Sequence, residues 1–310
     1  MKNFTYLLAI FMMFFVSCSP DKEEEILISE QKPANKVELK INGKKITDEI
    51  IDVSSFYSCD ETINVNVKSK KGNVTSELFT LEILRNGELS YAKFVDKKSF
   101  SDEEFSTPDY IPTSTIQIEE FEFVENKKLK IKFSGTLLKR IYNLKSNSES
   151  IDIHGTIEIN EFGKSTCNTF NDYIKLNDQI KFSDITRTEQ ESSANLSVRY
   201  ESNSLNGYNI QFKNFTKFLT NMPLGSYNFN DLSNTEKVEF RKYIGIPKCF
   251  GAHIIIPEDW KLYSTKGSFT IVEKTMIDGR LVVKLKLNFI ATYNGIEEYN
   301  FTNAEFETTL

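Results

Sequence analysis

The sequence predicts an all-β chain built as two tandem antiparallel β-sandwich domains. Three observations carry that reading. The chain holds 25 Phe and 13 Tyr against a single Trp. With Ile, Val and Thr also abundant, that composition favours strands over helices. Apolar and polar residues alternate with period two along much of the chain, the pattern of strands with one buried face. Asn-Gly or Asp-Gly dipeptides separate such runs, and these pairs supply the positive φ that tight hairpins need.

The elements follow in order. Val37, Leu39 and Ile41 alternate with Glu38 and Lys40, and Asn42-Gly43 turns the chain into residues 44–46. Residues 62–68 alternate Ile63, Val65 and Val67 against Asn64, Asn66 and Lys68. Residues 78–84 and 89–95 form a hairpin across Asn86-Gly87. Residues 96–113 break the pattern and read as an acidic loop around Asp102, Glu103 and Glu104. Residues 116–124 and 128–138 pair across Glu125-Asn126, with Leu129, Ile131 and Phe133 inward and lysines between them. Residues 151–159 close a first domain over 37–165.

A polar break over 163–172 precedes a second domain over 173–310. Its start, Tyr173 to Asp178, echoes Leu39 to Gly43. Its end echoes the first domain's closing hairpin: Phe269 to Ile271 match Ile116 to Ile118, and Leu281 to Phe289 match Leu129 to Leu137. Ser233-Asn234-Thr235-Glu236 fits a helix capping box, while Val238 and Phe240 alternate with Glu239 and Arg241 as a strand would. Both readings stand at this level.

The 310 residues carry a net charge of −6 and no long basic run, which argues against a nucleic-acid partner. Candidate chemistry is sparse. Ser150, Asp152 and His154 share one face of a predicted strand, but same-face neighbours lie about 6.6–6.8 Å apart, so no triad closes within it. His253 lies four residues after Cys249, too few ligands for a metal site. Asp102, Glu103, Glu104 and Asp109 offer oxygens for Ca²⁺, though solvated loop charge is the plainer reading. No catalytic residue, metal or cofactor is predicted, and the chain is not read as an enzyme. Trp260, with Tyr263 nearby, is the candidate ligand contact, since exposed aromatic faces stack sugar rings. Core or loop packing is the commoner role for such aromatics; the candidate ligand is a glycan or a protein, its identity open.

The N-terminus sets the address. Lys2 precedes an uncharged stretch to Ser17, almost wholly apolar over 7–16. This is a signal peptide, residues 1–17, too short to span a bilayer, which takes about 20 apolar residues. Phe15-Val16-Ser17-Cys18 resembles the lipobox of bacterial lipoproteins, with Phe15 in place of the usual Leu. The resemblance implies cleavage after Ser17 and acylation of Cys18, with palmitate-type chains holding the protein on a membrane. Stable anchoring takes more than one chain. Asp21-Lys22-Glu23-Glu24-Glu25 resembles the surface-export signal of Bacteroidota lipoproteins, and residues 18–36 read as a flexible acidic tether. The second half, through Gly225-Ser226-Tyr227 and Gly267-Ser268-Phe269-Thr270-Ile271, resembles small β-rich Bacteroidota lipoproteins of unknown function. Together these imply an outer-membrane, cell-surface lipoprotein acting as a non-catalytic binding or structural module. Glycan capture or service in a surface assembly are the alternatives. With Cys18 lipidated, Cys59, Cys167 and Cys249 remain. An odd number cannot all pair; Cys59 with Cys167, or separate buried thiols, are both open.

Overall fold

Alternating side chains build two antiparallel β-sandwiches in tandem. The computed structural model describes residues 34–46, 49–57, 62–71, 74–97, 102–125, 127–141, 149–160, 163–164, 173–182, 185–192, 195–230, 237–249, 256–277 and 279–309. The signal peptide with Ser17, Cys18, the tether as far as residue 33, Cys59, Cys167, Ser233 to Glu236 and His253 lie outside the described residues, while Lys36, expected in the tether, opens the first strand.

The first sandwich holds β1 (Lys36–Ile41), β2 (Lys44–Lys45), β3 (Glu49–Tyr57), β4 (Thr62–Lys71), β5 (Val74–Leu84) and β6 (Leu89–Lys97). It continues with β7 (Asp102–Ser106), β8 (Ile116–Val124), β9 (Lys128–Lys139), β10 (Ser150–Ile159) and β11 (Gly163–Lys164). The meander β3-β4-β5-β6 forms one layer, and β7 leads into the other, β9-β10-β1-β2 with β8 beside β9. The layers meet through residues such as Phe79 on β5 and Phe133 on β9, whose stacked rings lie 5.4 Å apart. Asn42 (φ 49°) and Gly43 (φ 76°) make the predicted turn, since both central positions need positive φ.

Residues 102–106, expected in a loop, form β7 instead. Its three acids are matched by cations: Lys97 with Asp102, Lys139 with Glu103 at 3.1 Å, and Arg140 with Glu104 at 3.1 Å. Paired across strands, these carboxylates are engaged by the cations of the same sheet. Among the described residues no group of three or more His, Cys, Asp or Glu could hold a metal ion.

The second sandwich holds β12 (Tyr173–Lys175), β13 (Lys181–Phe182), β14 (Thr186–Ser192), β15 (Asn195–Asn203) and β16 (Tyr208–Phe215). Then come β17 (Gly225–Asn230), β18 (Lys237–Tyr243), β19 (Trp260–Ile277), β20 (Arg280–Tyr293) and β21 (Ile296–Thr309). One layer is β14-β15-β16-β18 and the other β13-β12-β21-β20-β19, with β17 beside β19. Strand β19 belongs to both: Trp260 to Tyr263 pair with β18, and Ser264 onward pair with β20. Phe306 on β21 meets Phe212 on β16 at 4.9 Å across the core. Residues 237–243 are thus a strand and not a helix, with Val238 and Phe240 buried.

The two closing layers share their order: β2-β1-β10-β9-β8 in the first and β13-β12-β21-β20-β19 in the second. The correspondence extends to detail. Ile118 pairs with Phe133 before a bulge that ends at Glu120, and Ile271 pairs with Leu285 before a bulge that ends at Glu273. Among the described residues no helix is long and apolar enough to cross a membrane.

The sandwiches meet where the segment after β7 packs on the second. The Asp109 amide donates to the Lys248 carbonyl at 3.1 Å, and the Ile141 amide to that of Cys249 at 3.0 Å. Cys249 is a free, buried thiol 2.7 Å from the Ser106 hydroxyl. Burial raises its pKa, which keeps the sulfur protonated and unreactive. Gly207 (φ +81°) admits Ile111, whose Cγ2 would lie 2.8 Å from a Cβ there.

Candidate functional site

Strand alternation assigns one face of β14-β15-β16-β18 to polar side chains. Asn203 and Arg241 flank Asn209, while Glu201 and Glu239 flank Gln211. The opposite face carries Tyr200, Ile210, Phe212, Val238 and Phe240 into the core. The polar face therefore follows from the same period-two rule that builds the interior.

Two carboxylates organise it. Glu239 receives Lys213 at 2.7 Å, Arg241 at 2.7 Å and Lys237 at 3.2 Å. Burial works to raise its pKa, but the Lys213 contact with those of Arg241 and Lys237 outweighs that and pulls it down to about 2. Glu201 accepts from the Asn209 amide at 3.0 Å and the Gln211 amide at 2.6 Å, with Arg199 at 3.5 Å.

Those bonds fix both amide orientations. The Asn209 nitrogen faces three oxygens, those of Glu201, Ser202 and Asn203; a flipped amide would set oxygen against oxygen. Asn209 Oδ1 and Gln211 Oε1 are left buried without partners, as are Arg241 Nε and Trp260 Nε1. Asn209 is 3% exposed and Trp260 8%. Each is sealed from solvent by its neighbours, at a cost of about 1–3 kcal/mol for an unpaired buried polar group.

A cleft of about 430 Å³ opens there, with Asn209, Arg241, Arg199, Glu201, Tyr110 and Trp260 in its walls. Tyr110 comes from the first sandwich, so the wall spans the junction. Burial, with the charges of Asp109 and Glu201, pushes its phenol up to about 12, which keeps it neutral and able to donate. A larger depression of about 630 Å³ beside Gly135 has Glu88 as its one charged lining residue. It includes a single unpartnered buried atom, Thr115 Oγ1.

The structure separates the two predicted aromatic contacts. Trp260 and Tyr263 are three residues apart on one strand, so they lie on opposite faces. Tyr263 is 2% exposed inside the second core, donating to Glu298 at 3.0 Å. It is not placed to meet a ligand with Trp260. Trp260 reaches the cleft, though not as an open stacking platform. Tyr110 and Tyr243 pack against it at 4.8 and 5.2 Å, and its indole N–H is itself buried. Ser150, Asp152 and His154 all lie on the exposed face of β10, where Asp152 accepts from Thr136 at 3.3 Å.

Asn209, Gln211 and Arg241 escaped the sequence reading. Their one visible signal was alternation with Ile210, Phe212, Val238 and Phe240. Comparison with protein-family models, with curated proteins and with solved structures returns no match to this chain.

Proposed function

We propose that this chain is the folded passenger of a lipid-anchored bacterial surface lipoprotein and works as a non-catalytic binding module, with the polar cleft as its ligand seat. The observation that carries the reading is a cleft of about 430 Å³ whose walls bring the guanidinium groups of Arg199 and Arg241 together with the hydroxyls of Thr186 and Thr188 and the amide of Asn203. Polar groups converging in a recess of that size suit a small-molecule seat. Glu201 is the one carboxylate among the cleft residues, and its oxygens are engaged by Asn209, Gln211 and Arg199. Glycoside hydrolysis takes two carboxyl groups across the bond, so binding fits these walls better than cleavage. The address rests on the lipobox resemblance of residues 15–18.

Two measurements test this. Detergent-solubilised full-length protein, screened against glycans and host proteins, should bind a ligand that Arg241→Ala weakens at least tenfold. Binding that ignores Arg241→Ala would place the site elsewhere. Cys18→Ala should move the protein from the membrane fraction to the soluble fraction; a variant still bound to membranes would remove the lipid anchor from the account.

A further inference from the structure

The geometry points to a carboxylated, hydroxyl-bearing ligand, an acidic sugar unit, as the occupant of the cleft; this rests on the binding reading above. Three features of the walls select it. First, the walls hold polar groups of both kinds. The Arg199 and Arg241 guanidiniums can only donate, the Asn203 side chain carries an oxygen that accepts, and the Thr186 and Thr188 hydroxyls do either. A ligand that meets them must offer acceptors and donors together. A hydroxyl does both, whereas a plain carboxylate cannot donate.

Second, the local charge runs against the chain as a whole. The protein is acidic, with net charge −6. Yet on this face Arg199, Lys213, Lys237 and Arg241 stand against Glu201 and Glu239. The cleft walls themselves hold two guanidinium groups and one carboxylate. An anionic group is drawn to such a patch and held by charge-assisted bonds. Third, the volume of about 430 Å³ lies in the range of small-molecule sites.

The chemistry could come from a uronate within a polysaccharide or from a free sugar acid, and the arms of one experiment separate them. Full-length protein in detergent is titrated calorimetrically with D-glucuronate, D-glucose, cyclohexanecarboxylate and a glucuronate tetrasaccharide. Glucose lacks the carboxylate; cyclohexanecarboxylate lacks the hydroxyls. Glucuronate is expected to bind at least tenfold more tightly than either, and more weakly as salt rises. A tetrasaccharide tighter than the monomer identifies a polymer as source; equal or weaker binding identifies the free acid.

Arg199→Ala alters a side chain 44% exposed, so folding should survive, and should cost tenfold in glucuronate affinity. Thr188→Val keeps the shape of an exposed wall side chain and removes its hydroxyl. It should cost about fivefold in glucuronate affinity, the size of one hydrogen bond, with melting within a few degrees of the parent. Equal affinity for glucose and glucuronate overturns the acidic ligand while leaving a binding cleft. No binding of any of the four probes by folded protein also overturns it. The binding-module reading falls separately, if the broad screen yields nothing that depends on Arg241.

Discussion

Glu239 offers the sharpest test of the polar face. Its carboxylate is held by Lys213, Arg241 and Lys237, and its side chain is 14% exposed. The fall from 4.5 to about 2 corresponds to about 3 kcal/mol of preference for the charged form in the folded chain, an upper figure given some solvent screening. Because the folded value is depressed, that stabilisation is complete above the unfolded value and disappears as pH drops through the folded one. Glu239→Gln keeps shape and one acceptor but removes the charge. At pH 7 it should lower stability by about 2–3 kcal/mol, or melting by roughly 6–9 °C for a domain of this size. At pH 2.5 the parent has lost most of the contribution, and the gap should shrink below about 1 kcal/mol. Urea unfolding followed by fluorescence suits the assay, since Trp260 is the single tryptophan and its strand pairs with β18. A gap of the same size at both pH values, or none at pH 7, would refute the electrostatic account.

Three further outcomes follow from packing. Phe240 is fully buried against Tyr208, Tyr263, Phe289, Tyr299 and Phe301. Phe240→Ala should cost about 3–5 kcal/mol by chemical denaturation; a loss under about 1 kcal/mol would mean the core collapses around it. Gly267→Ala would put a Cβ 2.1 Å from the Asn288 carbonyl oxygen, forcing β19 off β20 at a cost of about 3 kcal/mol, readable as a lowered urea midpoint. Gly207→Ala adds left-handed strain to the contact with Ile111 and should cost about 1–3 kcal/mol. Unchanged melting in that variant would show that Ile111 can withdraw freely.

What was legible in the sequence is what local chemistry decides. The Asn42-Gly43 turn, the hairpin through Gly87 and the pairing of β8 with β9 follow from dipeptides and period-two patterns. Strand β7 was hidden because its acids read as loop charge, and their cations Lys139 and Arg140 lie far along the chain. Strand β14 carried no plain signal, because its sequence is polar throughout, whereas β15 and β16 alternate and escaped the sequence reading. The opposite-face placement of Trp260 and Tyr263 could have been read from the odd spacing alone. The burial of Asn209 could not. Alternation predicts that it faces away from the core, while its 3% exposure depends on cross-strand neighbours.

The matched strand orders and bulges make the sandwiches two copies of one frame, and this bears on where a site can arise. Within either copy, the outer face of the meander has no second layer of its own sandwich over it, and such a face shapes no cleft by itself. In the second copy, the segment after β7 brings Tyr110 against Tyr243 and Trp260, raising a wall at one end of the polar face. The first copy has no preceding sandwich among the described residues to do the same for it. Tandem arrangement thus turns a flat polar ladder into a recess, and the recess takes Tyr110 from one domain and Asn209, Arg241 and Trp260 from the other. Tyr110→Phe, which keeps the ring packed on Tyr243 and Trp260 and removes only the hydroxyl, should therefore weaken ligand binding although Tyr110 lies outside the second sandwich, and second-domain unfolding should shift little. A ligand affinity indifferent to Tyr110→Phe and to Tyr110→Ala would confine the site to the second sandwich alone.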